Sequence, residues 1–289
     1  YINNAYALIA SEVPMEKSGQ TMGTLTTGAV GGQLVGPVIG GYIAGIFGYR
    51  IPFYMFGGLM LIASLVTYFF VKEDFKPATG VAAKEHKSAF AGIKHVRIVW
   101  AMIISSMLIQ AATTSINPII SLFVKELMHG RGNVALTSGV IAALPGIATL
   151  IAAPRLGALG DHIGPQRVLI AGLVFCGLVF FPMFFVTTVV MLGILRFLVG
   201  ISDAALLPVT QTVMTLNTPD DAVSRIFSYN QSSQAIGSVV GPMLASGVAG
   251  VLDYRYVFLM TTLLVIINLV VVMWAYHTDH GSTTTSEQA

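Results

Sequence analysis

The sequence predicts an all-α integral membrane protein made of two helix bundles, and three observations predict it. The 289 residues are 55% hydrophobic and only 10% charged, with a mean hydropathy of +0.79. A soluble domain carries about 25% charged residues, so polar side chains here are too few to cover a wetted surface. Uncharged runs long enough to cross a bilayer, which takes roughly 20 apolar residues, recur along the whole chain. One of these runs is echoed 205 residues later. The formal net charge of +2, without a basic stripe, gives no footprint for nucleic acid.

In chain order, a partial span at 1–11 precedes the polar loop SEVPMEKSG, and uncharged runs follow at 18–49 and 51–71. The stretch 72–97, KEDFKPATGVAAKEHKSAFAGIKHVR, is the long polar interior segment and reads as a linker between two bundles. Further runs occupy 98–124, 132–154, 226–252 and 256–276. Between them, 168–217 holds only two charges, Arg196 and Asp203, and is long enough for two spans. Its turn belongs at VTTVV, 186–190, because a turn at Asp203 would leave 204–217 too short to cross. The prediction is eight full spans plus part of one. Residues 1–71 form the remainder of a first bundle, 72–96 a linker, 97–277 a second six-helix bundle, and 278–289 a disordered polar tail. Of the Lys and Arg residues in the loops, ten fall on the side of the linker and tail and four on the other, which puts linker and tail in the cytoplasm.

The echo joins GQLVGPVIGGYIAGIFGYRIPF, 32–53, to GSVVGPMLASGVAGVLDYRYVF, 237–258, with nine of 22 positions identical, among them Gly36/Gly241, Pro37/Pro242, Gly45/Gly250 and Arg50/Arg255. Pro14 and Pro219 keep the same offset. The copies lie an even number of spans apart and so point the same way, a parallel repeat related by an axis along the membrane normal. Projecting the start of the second bundle, Arg97, back by 205 puts the start of the first on the order of 110 residues before Tyr1. The expectation is a twelve-span protein of which this chain lacks three helices and part of a fourth.

Two motifs sharpen this picture. Gly32-x-x-x-Gly36-Pro37-x-x-Gly40-Gly41 is similar to the antiporter motif of helix five in the major facilitator superfamily, and GALGDHIGPQR, Gly157–Arg167, resembles the superfamily's G-x-L-x-D-R-x-G-R-R/K loop, here between helices eight and nine. The loop departs at His162, Pro165 and Gln166, where basic residues are usual, and keeps Gly157, Asp161, Gly164 and Arg167. SINPIISLFVKEL, 115–127, and APRLGALGDHIGPQRVLI, 153–170, resemble the twelve-span drug/proton antiporter branch, the bacterial multidrug exporters. The resemblance implies the major facilitator fold, a position in the bacterial plasma membrane, and proton-coupled export of small amphipathic molecules by alternating access. It implies a monomer with no cofactor, driven by the proton gradient. A metabolite or sugar symporter of the same fold is the alternative, against which the helix-five motif weighs. A membrane channel or receptor is the more distant one. Residues 1–289 alone are expected not to transport, since half of the cavity lining lies outside them.

The candidate residues follow. Gly32, Gly36 and Gly40 recur every fourth residue and share a helix face, with Gly41 and Gly45 forming a second row. In lipid, helices associate by close packing and small residues permit it, so these rows read as packing faces that could seal the bundles together, with Pro37 able to kink the helix. Asp161 can accept hydrogen bonds at a helix N-terminus, which makes the loop a tight turn or a conformational latch. Arg196 and Asp203 are seven residues apart, two turns on one face. A charge at the bilayer centre costs about 2.5–3.5 kcal/mol on insertion scales, which makes such residues functional candidates by default; here the choice is between a proton path and a structural pair. Gln110, Asn117, Gln211, Asn230 and Gln234 read as interhelical glue or cavity lining, with Gln110 and Asn117 on one face of helix seven. Phe180, Phe181, Met183, Phe184 and Phe185 read as packing or lipid-facing residues, and Cys176 as an inert apolar-run thiol. The six histidines are scattered, with no metal spacing, phosphate loop or nucleophile elbow, so no enzyme activity and no metal is expected.

Overall fold

The computed structural model describes residues 31–32, 35–70, 93, 95–129 and 131–286, with side chains except at 70, 154, 157, 158, 161, 220, 221, 224 and 278–286. Among the described residues there are nine longer helices: α1 Val35–Phe47, α2 Arg50–Phe70, α3 Val96–Ser115, α4 Asn117–Leu127, α5 Val134–Ile163, α6 Pro165–Met183, α7 Val189–Leu216, α8 Asp220–Val251 and α9 Tyr254–Ser286. Seven helical stretches are long and apolar enough to cross a membrane, α3 and α4 counting as one. The predicted partial span at 1–11 and most of the linker predicted at 72–96 lie outside the described residues, and the last linker residue, Val96, opens α3.

Each break has a local cause. Gly48, at φ 83°, closes α1 by donating to the Ala44 carbonyl at 3.0 Å, a left-handed position that glycine adopts without strain. Ile116 separates α3 from α4 because Pro118 stands in the first turn of α4 and brings no N–H. Asn133 caps α5 by accepting from Leu136 N at 3.0 Å, and Thr188 caps α7 by accepting from Met191 N. The turn between α6 and α7 thus ends at Thr188, inside the predicted VTTVV.

Three expectations are corrected. The Gly157–Arg167 segment is not a loop: α5 continues to Ile163, and Gly164 alone, at φ 90°, turns the chain into Pro165 of α6. A proline at the first helical position and a glycine before it form the whole connection. Helix seven is broken at Ile116, so Gln110 and Asn117 do not share one continuous helical face. The backbone predicted as a disordered tail is helical to Ser286, since a formed helix propagates cheaply until a proline or cap stops it.

The helices α3–α9 form one bundle. α3 packs on α8 and α9, α7 on α5 and α6, and α9 on α6. Its centre is apolar, with Met102, Phe123, Phe180, Leu192, Leu206 and Phe258 fully buried, and Phe123 meets Phe258 edge-on at 5.3 Å. Small residues set the closest crossings. Gly200 of α7 lies so near Pro145 of α5 that a methyl there would overlap the Pro145 backbone. Beside it the Thr149 hydroxyl reaches the carbonyls of both Pro145 (2.9 Å) and Gly200 (2.8 Å). By contrast no described residue of α2 is buried; such an all-round apolar helix is one covered by lipid or by other helices.

Gly200→Ala in the intact protein is expected to destabilise it by about 1–3 kcal/mol through overpacking. Gly247→Ala, where an added methyl meets nothing, is expected to be neutral or to stabilise by up to about 1 kcal/mol. Thermal unfolding in detergent compares the two.

Candidate functional site

The first bundle touches the second where α1 crosses α5. Here the backbones of α1 and α5 meet directly at two glycines, and a third glycine faces the Asn133 side chain. A methyl at Gly139 would overlap the Pro37 carbonyl, one at Gly41 would overlap the Ala135 carbonyl, and one at Gly45 would overlap the Asn133 side chain. Helix–helix contact this close is the small-residue packing that lipid-embedded helices rely on. A cavity of about 290 Å³ adjoins the seam, lined by Pro37, Gly40 and Gly41 of α1, Pro52 and Phe53 of α2, Ile120 of α4, and Ser138 and Gly139 of α5. The buried Ser138 hydroxyl has no hydrogen-bond partner there.

This changes which glycines matter. Gly32, Gly36 and Gly40 meet no described atom within 4 Å of an added methyl, so the seam uses the Gly41 and Gly45 row. The partners Ala135 and Gly139 escaped the sequence reading, although Ala135-x-x-x-Gly139 is itself a small-xxx-small pattern at the start of a span. In the second copy, Gly237 and Gly241 of α8 press on the carbonyls of Met107 and Ala111 of α3. The Ser233 hydroxyl donates to the Ile103 carbonyl at 2.9 Å along the same crossing.

The amides divide by position. Asn230 is 2% exposed on α8, and its Oδ1 has no partner among the described residues; one turn on, the Nε2 of half-buried Gln234 has none there either. Gln110 of α3 lies beside Gly237 on the same crossing, and the buried Ser106 hydroxyl is unpartnered too. The α3–α8 crossing therefore carries several unmet hydrogen-bonding atoms, each of which costs about 1–3 kcal/mol if left dry. Gln211 is half-buried on α7, and Asn117 is exposed at the start of α4, away from this group.

Arg196 and Asp203 stand two turns apart on α7, inside the second bundle. Arg196 is 5% exposed, and its Nε has no hydrogen-bond partner. Asp203 lines a small chamber enclosed by α3, α6, α7 and α9, together with Thr113, Cys176 and Asn268. Of the predicted aromatic and methionine cluster, Phe180 and Met183 are core residues and Phe181 and Phe185 are exposed. Cys176 is buried and free.

At the other end of α7, an open cleft of about 580 Å³ is lined by His162, Gly164, Gln166, Arg167, Asn217 and Tyr276. The backbone puts Asp161 and Gly157 in the last turns of α5; their side-chain positions lie outside the described residues. Among the described residues no three His, Cys, Asp or Glu side chains gather as a metal site would require.

A family model for the Major Facilitator Superfamily matches residues 1–138 and 102–289. The chain is 43% identical over 270 residues to the multidrug resistance protein MdtG of Enterobacter lignolyticus, covering 93% of this chain and 65% of that protein. It is 44% identical over 274 residues to MdtG of Yersinia enterocolitica, covering 95% and 66%, and 45% identical over 273 residues to MdtG of Klebsiella pneumoniae, covering 93% and 66%. The chain thus spans about 65% of the length of these relatives. Among solved structures, a bacterial homologue of the human lysosomal transporter Spinster, inward-facing and unoccupied, matches 95% of this chain and 74% of its own, at a TM-score of 0.73 and 14% identity. That likeness is one of fold.

The seam gives a direct prediction. A Gly45→Cys/Asn133→Cys pair in a Cys176→Ala background is expected to form a disulfide without added oxidant catalyst, because the two positions are in contact. Gly139→Val should reduce that crosslinking at least tenfold, as read by a shift on non-reducing gels after cleavage between the bundles.

Proposed function

This chain belongs to the Major Facilitator Superfamily, and we propose that the whole protein exports small amphipathic molecules from the bacterial cell in exchange for protons, by alternating access. The chain is that of a multi-pass membrane protein. The observation that carries the reading is the seam between α1 and α5. A contact made of glycine, alanine, backbone carbonyls and one short asparagine side chain has no long side chains to disentangle, so two bundles can part and re-form it as rigid bodies. The substrate class is supported by relatives named for multidrug resistance at 43–45% identity, and those names weigh against a sugar or metabolite symporter.

In this reading the working parts are distributed. The seam opens and closes on the face away from the linker. The turn at Gly164, with Asp161, Gly157 and Arg167 around it, acts as the cytoplasmic latch. The unmet amides of α3 and α8, with Gln211 and Asn117 nearer the edges, offer hydrogen bonds to substrates, while apolar neighbours take the rest of an amphipathic molecule; adaptable walls favour promiscuous binding. Asp203 carries the proton and Arg196 is its counter-charge. The linker and the C-terminal end of α9 face the cytoplasm, consistent with the Lys and Arg excess on that side. The protein acts as a monomer, and the proton gradient supplies its energy.

The deciding experiment expresses the intact protein in a pump-deficient host and follows efflux of fluorescent cations. Export abolished by an uncoupler is expected; uptake of a single metabolite with no cation efflux would overturn the reading. Asp203→Asn should lower proton-coupled export at least tenfold with normal insertion. Asp161→Asn should lower export severalfold without abolishing it, and unchanged export in an inserted protein would remove the latch.

A further inference from the structure

The polar groups around the chamber beside Asp203 have more oxygen acceptors than free hydrogens, the latter being the second Nδ2 hydrogen of Asn268 and the Cys176 thiol. The Thr113 hydroxyl already donates to the Ile109 carbonyl at 2.9 Å, leaving only its lone pairs. Asn268, 1% exposed, turns its Nδ2 toward the Ser105 carbonyl, and its Oδ1 has no partner. An ionised Asp203 is acceptor-only. The Cys176 thiol, a weak donor, abuts the Ser202 hydroxyl, whose own hydrogen goes to the Val199 carbonyl. The chamber therefore calls for a species that brings hydrogens or positive charge to at least two acceptors.

Size and charge choose the species. The free volume is about 10 Å³, close to the roughly 10–15 Å³ that one water needs, and far too small for a substrate. The ionisable groups acting on Asp203 are Arg196 on its own helix and Cys176 on α6. Asp203 is the one charged residue among those that line the chamber. Arg196 thus already balances the carboxylate, and a metal cation would add a second positive charge to a single negative one.

We propose that this chamber, inside the second bundle and not between the bundles, is a hydration site holding one water between Asp203 and Asn268, through which the Asp203 carboxyl gains and loses its proton. It rests on the reading of Asp203 as the proton carrier. The resting water donates one hydrogen to the carboxylate and one to Asn268 Oδ1. Loading breaks one O–H bond of a hydronium at this position and forms the O–H bond of the Asp203 acid, leaving neutral water; unloading reverses the step.

The test is time-resolved infrared spectroscopy of the intact protein in liposomes after an acid jump. The carboxylic C=O band lost in Asp203→Asn identifies the site. Ala112→Val, which fills the chamber wall, and Asn268→Leu, which removes the acceptor, are each expected to slow the appearance of that band at least tenfold. Should one variant fail to fold, the other and the isosteric Thr113→Val still give the reading. Equal rates in wild type and variants overturn the proposal, as does a missing Asp203 band at every pH. Loss of the band when sodium chloride replaces choline chloride at fixed pH also overturns it, in favour of a monovalent cation site. Export assays separate the two readings. Slowed protonation in the variants with full proton-coupled export in Asp203→Asn keeps the water and removes the coupling role; equal protonation rates with lost export in Asp203→Asn do the reverse.

Discussion

A bilayer offers the backbone no hydrogen-bond partner, and the placement of most breaks among the described residues follows from that constraint. Within hydrocarbon the segments must stay helical, because each unpaired N–H or C=O costs several kcal/mol. That is why four glycines and a proline within Val35–Phe47 do not melt α1, and why α5 runs through Gly157 and Gly160 to Ile163 before turning. Several breaks among the described residues fall where a residue supplies the missing chemistry: Gly48 and Gly164 with left-handed backbone, Asn133 and Thr188 with capping oxygens, Pro118 and Pro165 as first-turn residues that need no donor.

The same constraint changes what small residues do. With lipid as apolar as leucine, no hydrophobic drive pushes helices together, and close contact has to come from packing. The tightest crossings in the structure are accordingly glycine against backbone: Gly200 on Pro145, Gly241 on Ala111, Gly139 on Pro37. Where polar side chains join these crossings they mostly bond to backbone carbonyls, as Thr149 does to Gly200 and Ser233 to Ile103. The groups left over, on Asn230, Gln234, Ser106 and Asn268, stand out because lipid-embedded packing leaves so few.

Spans and turns were legible in the sequence because they depend on the length of uncharged runs and on local turn chemistry. The division of 168–217 at VTTVV needed only the minimum length of a span, and α6 and α7 divide there. What was not legible depends on which way a helix is rotated. Periodicity put Gly32, Gly36 and Gly40 on one face, but it could not say which face meets another helix. Asp203 was recognisable as an intramembrane charge, yet the chamber beside it draws on four helices, with lining residues up to 160 apart in sequence (Leu108 to Asn268). The break at Ile116 could have been read from Pro118, and it was missed because the apolar run continues unbroken across it.

The repeat explains why two glycine rows occur on one helix. In the second copy, Gly237 and Gly241 are filled by α3 of the same bundle, while the counterparts of the seam row, Ser246 and Gly250, are open: Ser246 is exposed and a methyl at Gly250 meets nothing. In the first copy the pattern inverts, with Gly41 and Gly45 filled by α5 of the other bundle and Gly32 and Gly36 meeting no described residue. Each copy is filled on the row its counterpart leaves free. One row therefore serves packing within a bundle and the other packing between bundles, and a helix that must do both carries small residues on two faces. Density of glycine on α1 is then a requirement of having two partners, which a helix with one partner would not share.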